Sequence, residues 1–377
     1  MRVLIACGGT GGHINPGLAI ADIIKSKYPD TEFLFAGTPK GMEAKLVPAA
    51  GYRFETIKVA GFQRRISLEN IGRNAKAVAY LITSGRRAKQ IIEGFKPDIA
   101  IGTGGYASGP VIRKAARMGI PTAIHEQNAY PGVTNKLLSK EVDHVMLTVK
   151  EALNFMDGSK FEHTVTGLPV RSNIKNSISR AEARKKLGFN DDFTILSFGG
   201  SLGAGCINET MTEAIKWHVG KDLAINHIHG YGGMGKDTFP QAMKAVGIPL
   251  KSNNLRITEY INDMDVCLAA ADLVICRSGA STLAELEAAG RASILIPSPI
   301  VAGNHQYHNA MVLGKAGAAV VVEQKDASPK RIISEIEKLY NSPDTVAVMS
   351  QSAAKLHLSD TNERILAVID KLIAKKK

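Results

Sequence analysis
Short β-branched apolar runs recur along this chain, each followed by roughly 10 to 20 residues whose apolar positions return at helical spacing. The first instance sets the pattern. Val3-Leu4-Ile5 leads into a glycine-rich turn, after which Leu18, Ile20, Ala21, Ile23 and Ile24 mark one face of a helix. Strand and helix alternating in this way predict an α/β protein with parallel sheets. Strands are expected at 2–6, 32–36, 98–102, 121–125, 143–148, 163–166, 193–198, 223–228, 254–257, 272–276, 292–296 and 319–322.

The pattern also repeats at longer range. RVLIACGGTGGH at 2–13 is echoed by FTILSFGGSLGAG at 193–205, and PDIAIGTGGYASGP at 97–110 by ADLVICRSGASTLAE at 271–285. Two similar halves therefore follow one another, with a seam near GLPVR (167–171). In each half the two echoed loops leave the C-termini of strands, where open α/β sheets bind ligands. A site in a cleft between two domains follows.

Composition narrows the class. A chain of 377 residues is too long for one ordinary core, and 45% hydrophobic with 22% charged residues reads as soluble and globular. No signal peptide is expected behind Met1-Arg2, and no apolar run approaches the ~18 residues of a membrane span. Cys7, Cys206, Cys267 and Cys276 form no C-x-x-C and read as reduced thiols of a cytoplasmic protein, without zinc or disulfides. A net charge of +12 suits polyanions: nucleic acid, an anionic membrane or phosphorylated substrates. The single Trp argues against stacking on single-stranded nucleic acid, and nucleic acid is not expected as a partner. Between Lys58 and Lys96 nine basic residues face only Glu69 and Glu93, interleaved with Phe62, Ile66, Leu68, Ile71, Val78, Tyr80, Leu81 and Ile82. Two readings remain open for that stretch: a peripheral membrane surface, or a core-packed helix with a solvated basic face.

Glycines at 8, 9, 11, 12 and 17 behind the first strand need a reason such as positive φ or the close approach of a ligand to bare backbone. A strand feeding a helix through such a loop aims N–H groups and the helix dipole at one spot, which suits a diphosphate. In the second half, Ser201 stands at one helix start and Ser278 to Thr282 at another, with Glu285 a turn inside, placed to accept hydrogen bonds from ribose hydroxyls. His305, Gln306 and Asn309 suit sugar hydroxyls or a helix cap. His125, Glu126, Gln127 and Asn128 end an apolar strand, a poor place for four polar side chains unless they face a ligand. GTGGYA with Glu126 about 20 residues on also fits a dinucleotide fingerprint, which the opening loop does not, having Ile14 where Gly or Ala belongs. Asp263-Met264-Asp265 spells D-x-D, but at the start of an apolar helix it reads as a cap, and no metal or cofactor is expected.

GGTGGHINPGLAIA, GTGGYASGP, HEQNAYPGVTNKLLS, GLPVR, FGGSLGAGCINE, CRSGASTLAE and PSPIVAGNHQYHNA stand in the order and spacing of the MurG family, which the chain resembles from residue 2 to about 370. Those are the UDP-N-acetylglucosamine:N-acetylmuramyl-(pentapeptide)-pyrophosphoryl-undecaprenol N-acetylglucosaminyltransferases. The resemblance implies an α/β protein of the GT-B fold, two facing Rossmann-like domains with parallel sheets and a cleft between them. It implies an acceptor and membrane-associating domain at 1–168, a UDP-GlcNAc domain at 169–354, and a last helix, about 355–377, crossing back to the first. It further implies inverting β-1,4 transfer of GlcNAc to a lipid-linked muramyl-pentapeptide, without metal, at the cytoplasmic face of the bacterial membrane. Thr10, Gly11, Gly12, Asn128, Arg171, Ser201, Ile261, Ala280, Ser281, Thr282, Leu283, Ala284, Glu285 and Gln306 match the family's UDP-GlcNAc positions. Gly9, Tyr106, His125, Asn208 and Asn309 match other motif residues, and His13 and Glu126 are the rival general bases. The chain departs from the family's usual pattern at Leu168, Leu202 and HIHGYGGMG (227–235). A UDP-GlcNAc 2-epimerase uses two such domains as well and is the alternative reading. A non-catalytic polyanion binder rests on charge alone.

Overall fold
The computed structural model describes residues 1–59, 83–175 and 178–375. The chain divides into two compact units, Met1–Pro169 joined by Asp360–Lys377, and Val170–Ser359. The first unit holds β1 (Arg2–Ala6), β2 (Glu32–Gly37), β3 (Arg53–Thr56), β4 (Ile99–Gly102), β5 (Thr122–Glu126), β6 (His144–Leu147) and β7 (His163–Val165). They form one sheet in the order β3-β2-β1-β4-β5-β6-β7, every neighbour pair parallel. The second unit holds β8 (Phe193–Phe198), β9 (Ile225–Gly230), β10 (Leu255–Thr258), β11 (Leu273–Cys276), β12 (Ala292–Leu295) and β13 (Ala319–Val321), in the order β10-β9-β8-β11-β12-β13. Both sheets therefore carry the 3-2-1-4-5-6 order of Rossmann-like folds. The twelve expected strands are present within two residues of their expected bounds. The strand with no expectation is β3, whose half-exposed Arg-Phe-Glu-Thr sits on the sheet edge beside β2 and offers no apolar run.

Burial on both faces explains the near-continuous apolar strands. Leu4 and Ala6 point into one cluster with Leu34, Ile92, Val111 and Ile124, while Val3 and Ile5 point into another with Ile20, Ile24, Phe33 and Phe35. The second cluster is closed by the helix Thr361–Ala374, which presents Ile365, Val368, Ile369 and Leu372 at i, i+3, i+4 and i+7. Each such side chain contributes about 1.5–3 kcal/mol when fully buried. Asp370 adds contacts to Lys27 at 2.6 Å and to the Tyr28 hydroxyl at 2.7 Å. The single last helix expected over 355–377 is two elements: the helix Pro343–Leu356 belongs to the second unit, and the return to the first begins at Asp360.

Residues 83–95 are helical and turn Ala88, Ile91, Ile92 and Phe95 into the core, leaving Arg86 and Lys89 outside. For this part of the basic stretch the core-packed reading is the one observed. Its remainder, 60–82, lies outside the described residues. Among the described residues no helix is long and apolar enough to cross a membrane.

In each sheet the strand order reverses between the first and fourth strands of the unit, and the echoed glycine loops leave those strands. They are 7–10 and 103–107 after β1 and β4, and 199–204 and 277–279 after β8 and β11.

Candidate active site
In the first unit, the helix Gly11–Lys27 starts at Thr10, whose extended backbone is that of an N-cap but whose side chain makes no capping bond. No acidic residue stands in its first turn, and although the His13 N–H is taken by the Thr10 carbonyl at 3.0 Å, those of Gly11 and Gly12 remain for an anion. His13 lies in that turn. Its Nδ1 stands 3.0 Å from the Gly8 carbonyl. A carbonyl oxygen only accepts, so Nδ1 carries the hydrogen and the neutral ring offers its lone pair at Nε2. Two neighbours hold this residue: Thr103 Oγ1 donates to the His13 carbonyl at 2.7 Å, and the ring packs on Gly104. Gly104 has φ +103, and a Cβ there would lie 2.7 Å from the imidazole Cδ2. A Cβ on Gly105 would lie 2.2 Å from the Gly8 oxygen, so the loops after β1 and β4 interlock through bare backbone.

Beneath the first loop lies Glu43, fully buried. Its Oε1 accepts from the Thr38 amide at 2.8 Å and the Thr38 hydroxyl at 2.6 Å, and its Oε2 accepts from the Gly9 amide at 3.1 Å. Burial pushes this carboxyl up, but the hydrogen bonds from Thr38 and Gly9 outweigh it and hold the group below the usual carboxylate range. Burial, reinforced by Glu43, pushes the neighbouring Cys7 thiol up to about 12. The Gly9 N–H is thus spent on Glu43. The whole of 8–12 was expected to face a ligand, and the amides of Gly11 and Gly12 at the helix start are among those left to do so. Tyr106 stands exposed in the loop after β4.

The polar cluster at the end of β5 corrects another expectation. His125, Glu126 and Gln127 are buried and bond to the protein itself. His125 Nε2 donates to the Gly167 carbonyl at 3.0 Å, its Nδ1 accepts from the Gln127 amide at 3.1 Å, and burial pushes its pKa down to about 4. Glu126 Oε1 accepts from the Asn128 backbone at 2.9 Å and side chain at 3.2 Å. Its Oε2 accepts from the Gly132 amide at 3.0 Å and Asn135 Nδ2 at 2.9 Å. Four donors fill the roughly four lone-pair sites of a carboxylate. Glu126 therefore braces the loop 127–132 and the start of the helix Val133–Leu138 and has no oxygen free to take a proton, whereas His13 Nε2 has an open lone pair.

In the second unit, Arg171, Ile261, Thr282 and Glu285 come together around one pocket of about 170 Å³, with Phe198, Gly200, Tyr260 and Asn262. This is less than the ~300–1,000 Å³ of a typical ligand pocket and takes a portion of a nucleotide sugar rather than the whole. Glu285 Oε1 accepts from Arg171 Nε at 3.1 Å and Nη2 at 2.9 Å. Burial pushes the Glu285 carboxyl up, with Arg171 pulling the other way. The helices Gly205–Gly220 and Ala280–Ala289 start at Ala204 and Gly279, with no side-chain cap and no acid in the first turn. By contrast, Ser179 and Glu182 form a reciprocal capping box on the helix Arg180–Leu187.

Several expected ligand groups are occupied. The Ser278 hydroxyl, buried, donates to the Gln306 carbonyl at 2.7 Å, and Asn309 Nδ2 donates back to the Ser278 carbonyl at 3.2 Å. Gln306 Oε1 accepts from the Ser298 amide at 2.9 Å. Together these tie the loop before Ala280 to Ser298 and to the first turns of the helix His305–Lys315. Asn208 Nδ2 donates to the Tyr231 carbonyl at 2.9 Å. Leu283 and Ala284 face the core, Ser281 stands in the first turn, and Ser201 is exposed at its loop tip. Asp263 is held by Arg256 in a two-pronged pair at 2.7 and 2.8 Å. It occupies the N-cap position of the helix Met264–Ala270 without capping it, so ion pairing rather than the expected cap accounts for its carboxylate.

Sequence comparison then supplies the family. The glycosyltransferase family 28 N-terminal domain matches residues 3–147, and the C-terminal domain of the same family matches residues 194–365. A UDP-N-acetylglucosamine–N-acetylmuramyl-(pentapeptide) pyrophosphoryl-undecaprenol N-acetylglucosamine transferase of Acetivibrio thermocellus is 46% identical, over 100% of this chain and 99% of that one. The crystal structure of Acinetobacter baumannii MurG superposes with a TM-score of 0.78 at 27% identity, covering 98% of this chain and 99% of that one. The chain belongs to the MurG family. A UDP-GlcNAc 2-epimerase from Neisseria meningitidis, bound to UDP-GlcNAc, shares the fold alone, with a TM-score of 0.65 and 12% identity over 98% of this chain and 100% of that one. Two Rossmann-like units of parallel sheet make this MurG family member a GT-B protein.

Set against the MurG motifs, the residues with no expectation are those outside them. Tyr260 and Asn262 reach the pocket from beyond the end of β10, which carries no glycine signature. Glu43 had a faint signal in its glycines: a Cβ on Gly8, Gly37 or Gly41 would come within 2.6 Å of its side chain.

Proposed function
We propose that this chain transfers GlcNAc from UDP-GlcNAc to the C4 hydroxyl of a muramyl-pentapeptide carried on undecaprenyl diphosphate, with inversion, in peptidoglycan synthesis. The observation that carries the chemistry is the tautomer of His13: Nδ1–H on the Gly8 carbonyl leaves Nε2 as a base. The acceptor oxygen O4 attacks C1 of the donor, and its proton passes to Nε2. The bond from C1 to the β-phosphate oxygen breaks, and its electron pair leaves with UDP. We assign the acceptor, with its diphosphate near Gly11 and Gly12, to the first unit and the donor to the second. There the open helix starts at Gly205 and Ala280 stabilise the departing charge without a metal. Arg171 holds one oxygen of Glu285 and leaves Oε2 for hydroxyls of the nucleotide sugar.

The acceptor's lipid keeps it in a bilayer, and we place the protein peripherally at the cytoplasmic face, its net charge of +12 attracted to anionic lipid. Nucleic acid is not a proposed partner. Transfer of labelled GlcNAc from UDP-GlcNAc to a lipid-linked muramyl-pentapeptide analogue by the purified protein tests the reading. Formation of ManNAc from UDP-GlcNAc alone, with no transfer, supports the epimerase instead.

A further inference from the structure
We propose that Glu43 is a positioning residue for the base: its carboxylate polarises the Gly8–Gly9 peptide, whose carbonyl holds His13, so that carboxylate, peptide and imidazole form one chain of hydrogen bonds ending at Nε2. The proposal rests on the reading of His13 as the base. The Gly9 N–H and the Gly8 C=O are the two ends of one peptide group. Glu43 Oε2 takes the first at 3.1 Å, and His13 Nδ1 gives to the second at 3.0 Å. A carboxylate pulling on an amide hydrogen shifts electron density through the conjugated peptide onto its oxygen. A more negative oxygen binds Nδ1–H more strongly and raises the affinity of Nε2 for a proton. The logic is that of a carboxylate–histidine pair, with a peptide group interposed.

The surroundings argue for charge rather than packing. Three donor bonds and no cation meet this carboxylate among the described residues, and a neutral amide cannot accept all three. Glycines at 8, 37 and 41 clear a chamber of its shape, which any Cβ would enter. The titratable side chain packed against it is the Cys7 thiol, protonated across the working range, and the His13 ring is flanked by the uncharged Gly8 and Gly104.

Glu43→Gln, His13→Ala and the double variant of the full chain are compared for kcat, KM for UDP-GlcNAc and pH profile. Glu43→Gln is expected to lower kcat about 10–100-fold, the range seen when the outer partner of a metal-bound histidine is removed. The donor KM stays in place, and the acidic limb of kcat moves to lower pH because Nε2 is less basic. In the His13→Ala background the same substitution costs nothing further. An unmoved limb in the folded variant, or a full additional loss on top of His13→Ala, overturns the proposal. Should Glu43→Gln fail to fold, Glu43→Asp keeps the charge but withdraws it from Gly9. A lower kcat with a smaller shift of the limb in the same direction is then expected, and a lower kcat with no shift overturns it. Full activity of His13→Ala overturns the base assignment itself, an outcome distinct from any failure of Glu43.

Discussion

The loops that follow β1 and β8 begin alike, with paired glycines ahead of a helix, and they lean on different partners. In the first unit the loop meets its counterpart across the strand reversal, Gly105 lying against Gly8, with Glu43 beneath it and an imidazole on top. In the second unit Gly203 lies against the Tyr231 carbonyl and Gly232 instead, so the loop after β8 is anchored to the loop after β9. It holds no ionisable side chain, and its tip carries the exposed Leu202. The pocket then opens beside it, floored by Gly230 and Ile261 and edged by Glu285. One topology thus supports two uses. Where the glycines lock the two reversal loops together, an imidazole is held still. Where they lock elsewhere, room is left for a ligand.

The sharpest break in that comparison is His13→Ala, expected to lower kcat by roughly 10²–10⁴ while UDP-GlcNAc affinity holds, as measured by calorimetry on the same preparation. Equal loss of donor affinity would dissolve the division of labour between the two loops. Next, Glu285→Ala removes a charged acceptor, a loss of about 1.5–3 kcal/mol that raises the KM for UDP-GlcNAc roughly 10–150-fold. The KM for the lipid-linked acceptor stays where it was. If the acceptor KM alone moves, the two units have been assigned the wrong way round.

Acid should separate the units. Ser197 Oγ bonds His227 Nε2 at 2.9 Å and His229 Nδ1 at 2.8 Å, and His218 Nε2 meets His227 Nδ1 at 3.2 Å, all inside the second unit. Burial pushes His218 down to about 4 and His229 to about 3, with His227 lowered as well. Folded values below the unfolded value of about 6.5 mean that unfolding takes up protons in acid. Stability from these neutral rings is complete above about pH 6.5 and falls as pH drops toward 4, most of all in the second unit, where three rings stand against His125 and His144 in the first, both likewise lowered by burial. Hydrogen exchange read along the chain at pH 7, 5.5 and 4.5 checks this, and earlier opening of β1–β7 would contradict it. The smallest effect is expected from EDTA, less than about two-fold on turnover, because the proposed reading gives the charge of the leaving diphosphate to helix starts rather than to an ion. Loss on chelation with recovery in magnesium or manganese would bring Asp265, and an Asp263 freed from Arg256, back as ligands.

The fold was legible because strands buried on both faces announce themselves as apolar runs, and because the repeat placed RVLIACGG and FTILSFGG at equivalent points. β3 escaped because an edge strand needs no such run. Site residues were legible as types near glycines, but not as roles. Glu126 and His13 looked equivalent until geometry filled every oxygen of one and left a nitrogen of the other open. Glu43 sits at a helix start, where an acid ordinarily answers the helix dipole. Its use 34 residues back along the chain, at Gly9, depends on tertiary packing that no local pattern carries.

Thr361–Ala374 packs Ile365, Val368, Ile369 and Leu372 into the same cluster as Val3 and Ile5 of the first strand. A ribosome therefore delivers every residue of the second unit before the last wall of the first. During synthesis β8–β13 have their whole complement of sequence in hand, while part of the apolar face around Val3, Ile5 and Phe35 waits uncovered for the helix still to come. Chains stalled or cut before residue 361 expose that face to one another, a route to aggregation. The unit that is translated first is the one that finishes last.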